Sequence, residues 1–463
     1  MRSLKRPGIE REVFDIRSMD QGNVRVLNPP LIPAHVLVAA SAWASRIVAA
    51  AAQLLVIRAL LPYLGASGYA LFSVVTSLAT WFALVEFGVG YSLQNRISMS
   101  RAAGSERDVL IRSTFPLLGG LFAISVLVLA IAGPALQHFL FRRMTDAPAA
   151  AGAPSYAVAA VGLAYIITSL AGISYKVFYG EMRGYLSNFY VVAANVLGLL
   201  SVLAVRALEL PSHQLEWALA AWTLPPAIVA LAAAGHVYNW HRLSRARVNW
   251  DFTRQLWSRA WRFGGCALLM AAVLGVDYVV MSQTLPADQI VRYNAIAKVY
   301  GLIFFICTAL LQATWPVCAE AFGRGDIALV RKLTRDGLLA GCGVVIVGTL
   351  VLMISRNAVS AALLGDHHID LPVALIAAFG GYFLLRVWTD AFATILMSRD
   401  RLRIFYLYVP FQAAISAAAQ FVLSRRFGLY GILAGLIVSF LCTSVWVLPL
   451  EYLRLCRSAE VST

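Results

Sequence analysis

Long apolar segments alternate with short polar ones along nearly the whole chain. A helix needs about 20 mostly apolar residues to cross a membrane. Twelve stretches meet that requirement, and the predicted spans are 36–61, 67–89, 112–132, 153–175, 187–206, 215–237, 263–284, 291–316, 337–355, 371–396, 405–424 and 429–450. The pattern therefore predicts an all-α, polytopic membrane protein.

The longest polar interruption, residues 238–262, separates the first six predicted spans from the last six. It contains six arginines and a single acid, Asp251. In its second half, one helical face carries Leu256, Trp257, Ala260 and Trp261. Aromatic residues on one face and arginines on another are typical of a helix that lies in a membrane interface.

The interruption also suggests how the chain is divided. The predicted parts are a cytoplasmic N-terminal tail (1–33), a first lobe (34–238), a basic linker with the interfacial helix (239–260), a second lobe (261–452) and a cytoplasmic C-terminal tail (453–463). The two lobes resemble each other at residues 68–78 and 292–302, where Tyr69 and Tyr293 occupy equivalent positions. Because each lobe holds six spans, both keep the same orientation, as in a parallel repeat.

Composition and charge support this topology. Hydrophobic residues make up 60% of the chain and charged residues 13%, with a mean hydropathy of +0.74, which excludes a soluble domain. With the N-terminus inside, 27 of the 38 basic residues lie on cytoplasmic segments and 7 on the other side. This asymmetry predicts that both termini are cytoplasmic. It also explains the net charge of +15 without nucleic acid as a partner.

The sequence gives no sign of enzymatic or metal chemistry. The six cysteines show no CxxC spacing, and there is no Walker motif and no cluster with the spacing of metal ligands. We therefore predict no catalytic residue, no cofactor and no metal, and a protein that is not an enzyme.

Ionisable residues inside spans usually face a cavity or a partner, because burying them in the bilayer is costly. The predicted spans contain seven: Arg46, Arg58, Glu86, Asp277, Lys298, Arg386 and Asp390. The candidates for binding an anionic substrate are Arg46, Lys298 and Arg386. The candidates for ion coupling or gating are Asp277, Glu86 and Asp390.

Each candidate also has a structural alternative. Arg386 and Asp390 are four residues apart and can pair on one helix face. Lys298 and Asp277 can pair across neighbouring helices, and Glu86 can bind a loop arginine. Arg58 lies close enough to a span end to reach the interface. Four amides could either line a polar cavity or join helices: Gln53, Asn195, Gln312 and Gln412.

Three stretches resemble a known family. Residues 58–98 are similar to the start of Wzx-type polysaccharide flippases, of the multidrug/oligosaccharidyl-lipid/polysaccharide (MOP) superfamily, with Arg58, Leu64–Gly65, Tyr69, Glu86, Gly88 and Gly90 in the matching positions. Residues 277–302 and 314–332 resemble the seventh helix, the eighth helix and the end of the eighth helix in that family. The chain departs from the pattern at Ala70, where glycine is usual, and in having twelve predicted helices rather than the fourteen of lipid II flippases.

The resemblance implies a MATE-like fold, with two six-helix lobes forming a V around a central cavity and working by alternating access. The implied cargo is an undecaprenyl-pyrophosphate-linked oligosaccharide, moved from the cytoplasmic to the periplasmic leaflet of the bacterial inner membrane for O-antigen or exopolysaccharide biosynthesis. The implied partners are this substrate, membrane lipids, and a polysaccharide polymerase and chain-length regulator. Two alternatives stay open: a MATE-like multidrug or cation antiporter, and a membrane scaffold of a glycan-assembly complex without transport of its own.

Overall fold

The computed structural model describes residues 34–99, 104–142, 156–210, 212–364, 370–399 and 403–460, and all regular structure in these ranges is helical. The α-helices are α1 Ala34–Ser77, α2 Ala79–Phe82, α3 Val89–Met99, α4 Gly104–Arg112, α5 Phe115–Phe141, α6 Ala157–Ala171, α7 Ile173–Gly180, α8 Gly184–Ala207, α9 Gln214–Trp240, α10 Trp250–Leu274, α11 Asp277–Thr284, α12 Ala287–Gly323, α13 Ile327–Leu364, α14 Val373–Ser398, α15 Arg403–Phe427, α16 Leu429–Cys442 and α17 Ser444–Glu460. The N-terminal tail predicted at 1–33 lies outside the described residues.

Within the described ranges, eleven helical segments are long and apolar enough to cross a membrane. The first, Ala40–Glu86, has 47 residues. At 1.5 Å per residue it would measure about 70 Å, more than twice the thickness of a hydrocarbon core. It is interrupted at Gly65, whose φ of 69° and ψ of 174° are readily adopted only by glycine. The break lies between predicted spans 36–61 and 67–89, so this segment is long enough for both.

The outer surface of the bundle is apolar. Ile354, Ile131 and Phe411 are 86%, 72% and 68% exposed. Large apolar side chains exposed in this number indicate contact with lipid rather than with water. The molecule is therefore a multi-pass membrane protein.

Helix α1 lies at the seam between the first and the second half of the chain. It packs against α8 in its own half and against α12 and α13 in the other. It runs antiparallel to α12, because Gln53 contacts Lys298 while the earlier Arg46 contacts the later Phe305. The beginning of α1 and the end of α12 therefore lie at one end of the molecule, which we name the terminal face. The end of α17 lies there too, because Tyr452 contacts Thr334 near the start of α13. The other end is the opposite face.

In the basic interruption (238–262), the predicted interfacial helix is the first part of a longer helix that packs on the protein. Helix α10 begins after Asn249, whose side chain accepts the backbone N–H of Phe252 at 3.0 Å, and continues through the predicted linker boundary to Leu274. Of the predicted apolar face, Leu256 and Ala260 are buried. They join a hydrophobic cluster made by the terminal-face ends of α3, α4 and α9.

The two tryptophans of that face stay exposed, Trp257 at 39% and Trp261 at 59%. Phe87 directly follows the helical segment that ends at Glu86. Its ring stacks on Trp261, with the ring centroids 6.3 Å apart. Gly264 allows this approach, because a Cβ there would lie 2.9 Å from the Phe87 carbonyl oxygen. Tertiary packing against the first half thus fixes α10 in place.

Candidate functional site

A cavity of about 350 Å³ lies at the seam. Helices α1, α2, α6 and α9 form one wall, and the segment from Leu274 through α11 together with α12 forms the other. The polar side chains of the lining include Gln53, Ser73, Thr76, Asp277, Asn294 and Lys298. This is the place where a charged ligand would meet both halves of the chain at once.

Lys298 provides the positive charge of the cavity wall. Its Nζ donates a hydrogen bond of 2.8 Å to Oε1 of Gln53, which lies across the seam on α1. A half-buried lysine whose hydrogen-bond partner is a neutral amide receives no opposite charge from that partner, so its positive charge can attract an anion. Of the predicted substrate-binding cations, Lys298 is therefore the one that the fold places in the central cavity.

Asp277 provides the negative charge, and it is not paired with Lys298 in the part of the chain that the structure describes. It begins α11, directly after a break in the helix at Gly275, and its Oδ1 accepts the backbone N–H of Tyr278 at 2.9 Å. Its Oδ2 accepts the hydroxyl of Tyr293 at 2.5 Å. The suggested pairing of Lys298 with Asp277 is thus wrong, because each finds a partner elsewhere.

Three further hydrogen bonds cross the seam beside the cavity. The Asn294 amide donates to the Ser73 hydroxyl at 2.5 Å and to the Tyr69 hydroxyl at 3.4 Å. The Trp81 indole N–H donates to the Gly275 carbonyl at 3.2 Å. Polar contacts of this kind hold two halves together without filling their interface with apolar side chains.

Arg46 and Arg386 lie nearer the terminal face than the cavity. The Arg46 guanidinium is 4.5 Å from the ring centroid of Phe305, and that of Arg386 is 4.8 Å from Phe304. These phenylalanines follow Lys298 on α12 by about 10 Å. Neither arginine lines the 350 Å³ cavity. The three predicted cations therefore form a series along α12 rather than one cluster.

Arg386 is already engaged by its own helix. Its guanidinium lies 3.4 Å from the Asp390 carboxylate, with 17% and 28% of the two side chains exposed, and it donates to the Tyr382 hydroxyl at 3.3 Å. The pair inferred from the four-residue spacing is present. A role for Arg386 or Asp390 with substrate or ion requires this pair to exchange partners.

Glu86 lies at the end of a short 3₁₀ turn, next to Gly90. A Cβ on Gly90 would lie 2.7 Å from the Glu86 carboxylate and 3.0 Å from the side chain of Lys176, so glycine lets the two approach. Lys176, rather than a loop arginine, is the cation whose side chain lies beside Glu86 at Gly90 in the described structure. The ammonium group of Lys176 also lies 3.8 Å from the ring centroid of Tyr91.

Comparison with known proteins decides the family. The chain is 33% identical over 427 residues to a protein of Yersinia pseudotuberculosis named an O-antigen export protein, covering 91% of this chain and 96% of the relative. It is 32% identical over 430 residues to an O-antigen transporter of Salmonella typhi, covering 93% and 98%. The chain belongs to the O-antigen transporter family. No family model matches the sequence.

Solved structures place this transporter in the MOP fold. It superposes on an inward-facing multidrug resistance MATE transporter of the MOP superfamily with a TM-score of 0.72 and 12% identity, over 89% of this chain and 96% of the other. The lipid II flippase MurJ in an inward closed conformation gives a TM-score of 0.64 at 11% identity, over 92% and 90%. The family and the MOP fold implied by the sequence resemblance are both confirmed, whereas the predicted count of twelve spans stays a prediction.

The sequence predictions about the transporter missed several of the side chains that hold the cavity together. Tyr293 and Asn294 were not candidates, although Tyr293 had been matched to Tyr69 as a repeat position. Gln53 was one of four amides with an open role, and only its contact with Lys298 distinguishes it. Of the other three, Asn195 donates within its own helix and Gln412 donates to Ser444, while the Gln312 side chain lies outside the description.

The transporter also has a buried ionic cluster at the terminal face, where Glu181 and His241 lie just outside the candidate spans. Glu181 accepts Arg107 at 3.0 Å and His241 Nε2 at 2.9 Å, and His241 Nδ1 lies 2.8 Å from Asp108. Burial alone would lower the pKa of His241, but the hydrogen bonds and charges of Glu181 and Asp108 raise it above 6.5. Burial would raise the pKa of Glu181, but His241 and Arg107 lower it below 4.5. The cluster joins α4, α9 and the α7–α8 connection.

This cluster makes stability depend on pH through His241. Because its pKa is raised on folding, its contribution is complete below its ordinary value near 6.5 and is lost as pH rises through the folded-state value. The contribution of Glu181 is present above about 4.5 and is lost only on further acidification. We expect His241→Gln to lower the thermal unfolding midpoint most at about pH 6 and least at about pH 9.

The measurement is the unfolding midpoint of the purified protein in detergent across that pH range. His213→Gln is a suitable control, because His213 pairs with Glu216 at 2.7 Å but its side chain is 61% exposed. Its effect should be small at every pH. If His241→Gln and the original protein change in parallel with pH, His241 does not carry the dependence.

Proposed function

We propose that this protein is a flippase for an undecaprenyl-pyrophosphate-linked oligosaccharide. It carries the cargo from the cytoplasmic to the periplasmic leaflet of the inner membrane by alternating access, with both termini in the cytoplasm. The observation that carries the proposal is a cavity lined by Lys298 between the two halves of a chain whose relatives are named for O-antigen transport.

The order of the cations along α12 supports a path for the pyrophosphate. Arg46 and Arg386 lie toward the terminal face, which the charge asymmetry makes cytoplasmic, and Lys298 lies about 10 Å further in. A pyrophosphate that enters from that side would meet the arginines first and Lys298 next. Guanidinium and ammonium groups both bind phosphate oxygens through charge-assisted hydrogen bonds.

The cavity volume supports alternating access. At about 350 Å³ it is at the lower end of the range for small-ligand sites, which suits a charged headgroup better than a whole oligosaccharide. The halves must therefore separate for the sugar chain to pass. The isoprenoid chain can remain in the bilayer, where its apolar surface is stable.

Contacts across the seam near the opposite face support a gate there. Arg58 on α1 donates to the carbonyl of Ala362, close to the end of α13, at 2.9 Å. Gln283 on α11 donates to the carbonyl of Phe139, close to the end of α5, at 2.7 Å. We infer that these bonds form when the cavity is closed to the periplasm and break when it opens. Arg58 then serves as a gate residue rather than only reaching the interface.

Linking Arg58→Cys to Ala362→Cys in a background without native cysteines should stop transport. A short bifunctional reagent with a reducible centre would hold α1 to α13, and reduction should restore the rate. Each single variant is the control, and treatment with the same reagent should leave its own transport rate unchanged. Full activity of the linked protein would show that α1 and α13 do not separate at this face.

The remaining parts of the proposal concern energy and partners. Asp277, Glu86 and Asp390 are candidates for carrying a coupling ion, since each is a carboxylate inside a span. Arg386 and Arg46 are candidates for substrate contact with Lys298. A polysaccharide polymerase and a chain-length regulator are proposed partners because they would consume the translocated product.

The direct test uses purified protein in liposomes. A fluorescent undecaprenyl-pyrophosphate oligosaccharide is placed in the membrane, and its exposure to an impermeant lectin or quencher is followed with time. We expect transfer with the protein and none with empty liposomes. Transfer of a cationic drug without transfer of the lipid-linked sugar would favour an antiporter, and transfer of neither would favour a scaffold.

A further inference from the structure

A second cleft, of about 400 Å³, lies on the outside of the second half at the terminal face, where α13, α14 and α17 meet. It shares no lining residue with the central cavity. Two arginines, Arg331 and Arg335, form one end of it. The second cleft is therefore a separate site from the central cavity.

The cleft has a charged end and an apolar end. Arg331 and Arg335 are one turn apart on α13 and precede predicted span 337–355, so they lie at the level of the membrane interface. Leu339 and Cys342 continue the same wall, and Cys342 lies about 10 Å deeper than Arg335. A ligand that fits this arrangement has an anionic group at the interface and an apolar body in the bilayer.

The facing wall is aromatic, and both of its polar groups already have hydrogen-bond partners within the protein. Trp388 and Phe392 are in edge contact at 5.1 Å, and Phe392 lies 5.2 Å from Tyr452. The Trp388 N–H already donates to the Val445 carbonyl at 3.2 Å, and the Tyr452 hydroxyl accepts from Thr334 at 3.2 Å. Apolar surface is therefore what this wall offers to an occupant.

The charge at the mouth is positive overall. Arg335 lies 3.1 Å from Asp336, but the two side chains are 69% and 48% exposed, so this pair contributes little and can exchange for another anion. Lys332 is also exposed on α13, but it does not line the cleft. Basic clefts between helices at a membrane surface recognise anionic lipid headgroups.

We propose that this cleft is a binding site for an anionic phospholipid of the surrounding bilayer. The lipid phosphate lies between Arg331 and Arg335, and one acyl chain runs along Leu339 and Cys342 against Trp388. A phospholipid fits better than the cargo, because the cleft opens on the outer surface of the bundle and is too small for a sugar chain beside a lipid chain.

The test measures lipid binding to the full-length protein in detergent, by native mass spectrometry and by the shift in thermal unfolding midpoint. Phosphatidylglycerol and cardiolipin should bind and stabilise the protein, whereas phosphatidylcholine and inorganic pyrophosphate should not. The double variant Arg331→Gln/Arg335→Gln should bind the anionic lipids at least about tenfold more weakly. The control Arg324→Gln/Lys332→Gln removes the same charge from the same face outside the cleft and should bind normally.

A filling variant tests the apolar end separately. Cys342→Phe keeps both arginines but occupies the space for the chain, so it too should weaken phosphatidylglycerol binding. Equal loss in the cleft variant and in the charge-matched control would overturn the site. Binding of undecaprenyl phosphate in place of phosphatidylglycerol would overturn the choice of ligand.

Discussion

Replacing Lys298 with methionine is expected to slow translocation of the lipid-linked oligosaccharide about tenfold or more, while the protein stays as stable as before or becomes more stable. The loss follows from removing the one cation that lines the central cavity in the described structure. A hydrogen bond between a charged donor and an anion contributes about 1.5–3 kcal/mol, which corresponds to a factor of roughly 10–100. Methionine keeps the length and the apolar stem of lysine, so the cavity wall is preserved.

The decisive part of this prediction is that the transport rate falls while the stability does not. Lys298 is half-buried and its partner in the structure is the neutral Gln53, so its charge is costly to the fold. A structural lysine would show the reverse, with lower stability and little specific loss of transport. Initial rates in liposomes and unfolding midpoints in detergent separate the two roles.

Lys298→Arg and Lys332→Gln are the matched variants for this experiment. Arginine keeps the charge in the cavity and should retain a substantial part of the rate. Lys332→Gln removes a lysine charge from the exposed start of α13 and should leave the rate unchanged. Normal transport by Lys298→Met would remove Lys298 from the proposed path.

The transmembrane architecture was predictable because the bilayer imposes strong local rules. Each pass must satisfy its own backbone hydrogen bonds, which requires a helix, and its length is fixed by the membrane thickness. The break at Gly65 could also be anticipated, since two apolar stretches meet there at a Leu-Gly turn. These properties are readable from residues that are neighbours in sequence.

The site was less predictable because its contacts join distant residues. Lys298 and Gln53 are 245 positions apart, and Asn294 and Ser73 are 221 apart. Asp277 looked like a partner for Lys298 because both lie in adjacent spans. The helix break at Gly275 instead puts Asp277 at the start of a new helix, where a backbone N–H and Tyr293 bind it. A charge inside a span therefore predicts that a partner exists, but not which one.

The predicted interfacial helix, which is the first part of α10, shows the same limit of prediction from sequence. Its amphipathic pattern predicted a helix correctly, yet the apolar face divides between protein and surroundings, with Leu256 buried and Trp261 exposed. Periodicity reports which residues avoid water. It does not distinguish burial in a lipid layer from burial against the ends of α3, α4 and α9, because both environments are apolar.

Replacing Gly435 with alanine is expected to destabilise the protein by about 3 kcal/mol, at the upper end of the usual cost of overpacking. Gly431 and Gly435 are four residues apart on α16 and both face α15. A Cβ on Gly435 would lie 2.5 Å from the backbone nitrogen of Gln420 and 2.6 Å from its Cα. Small residues at this spacing let two helices in a membrane approach closely enough for backbone contact.

The clash at Gly435 cannot be relieved by a change of rotamer, because the atoms it meets are backbone atoms. Alanine can fit only if α15 and α16 move apart, and that loses the packing of the whole hairpin. Gly381→Ala is the matched control, since no atom lies within 4 Å of a Cβ there. In a helix interior this second change should be neutral or stabilising by up to about 1 kcal/mol.

Unfolding midpoints of the two variants in the same detergent provide the measurement, and transport rates add a second readout. The proposed alternating access moves one half of the molecule against the other, so it requires the helices within each half to keep their packing while the seam opens. The α15–α16 hairpin is tightly packed, because its helices meet through backbone atoms at glycine. The seam is polar instead, because α1 and α12 meet through Gln53 and Lys298. If Gly435→Ala were as stable as Gly381→Ala, α15 and α16 would not be locked together. Motion could then take place within the second half as well as at the seam.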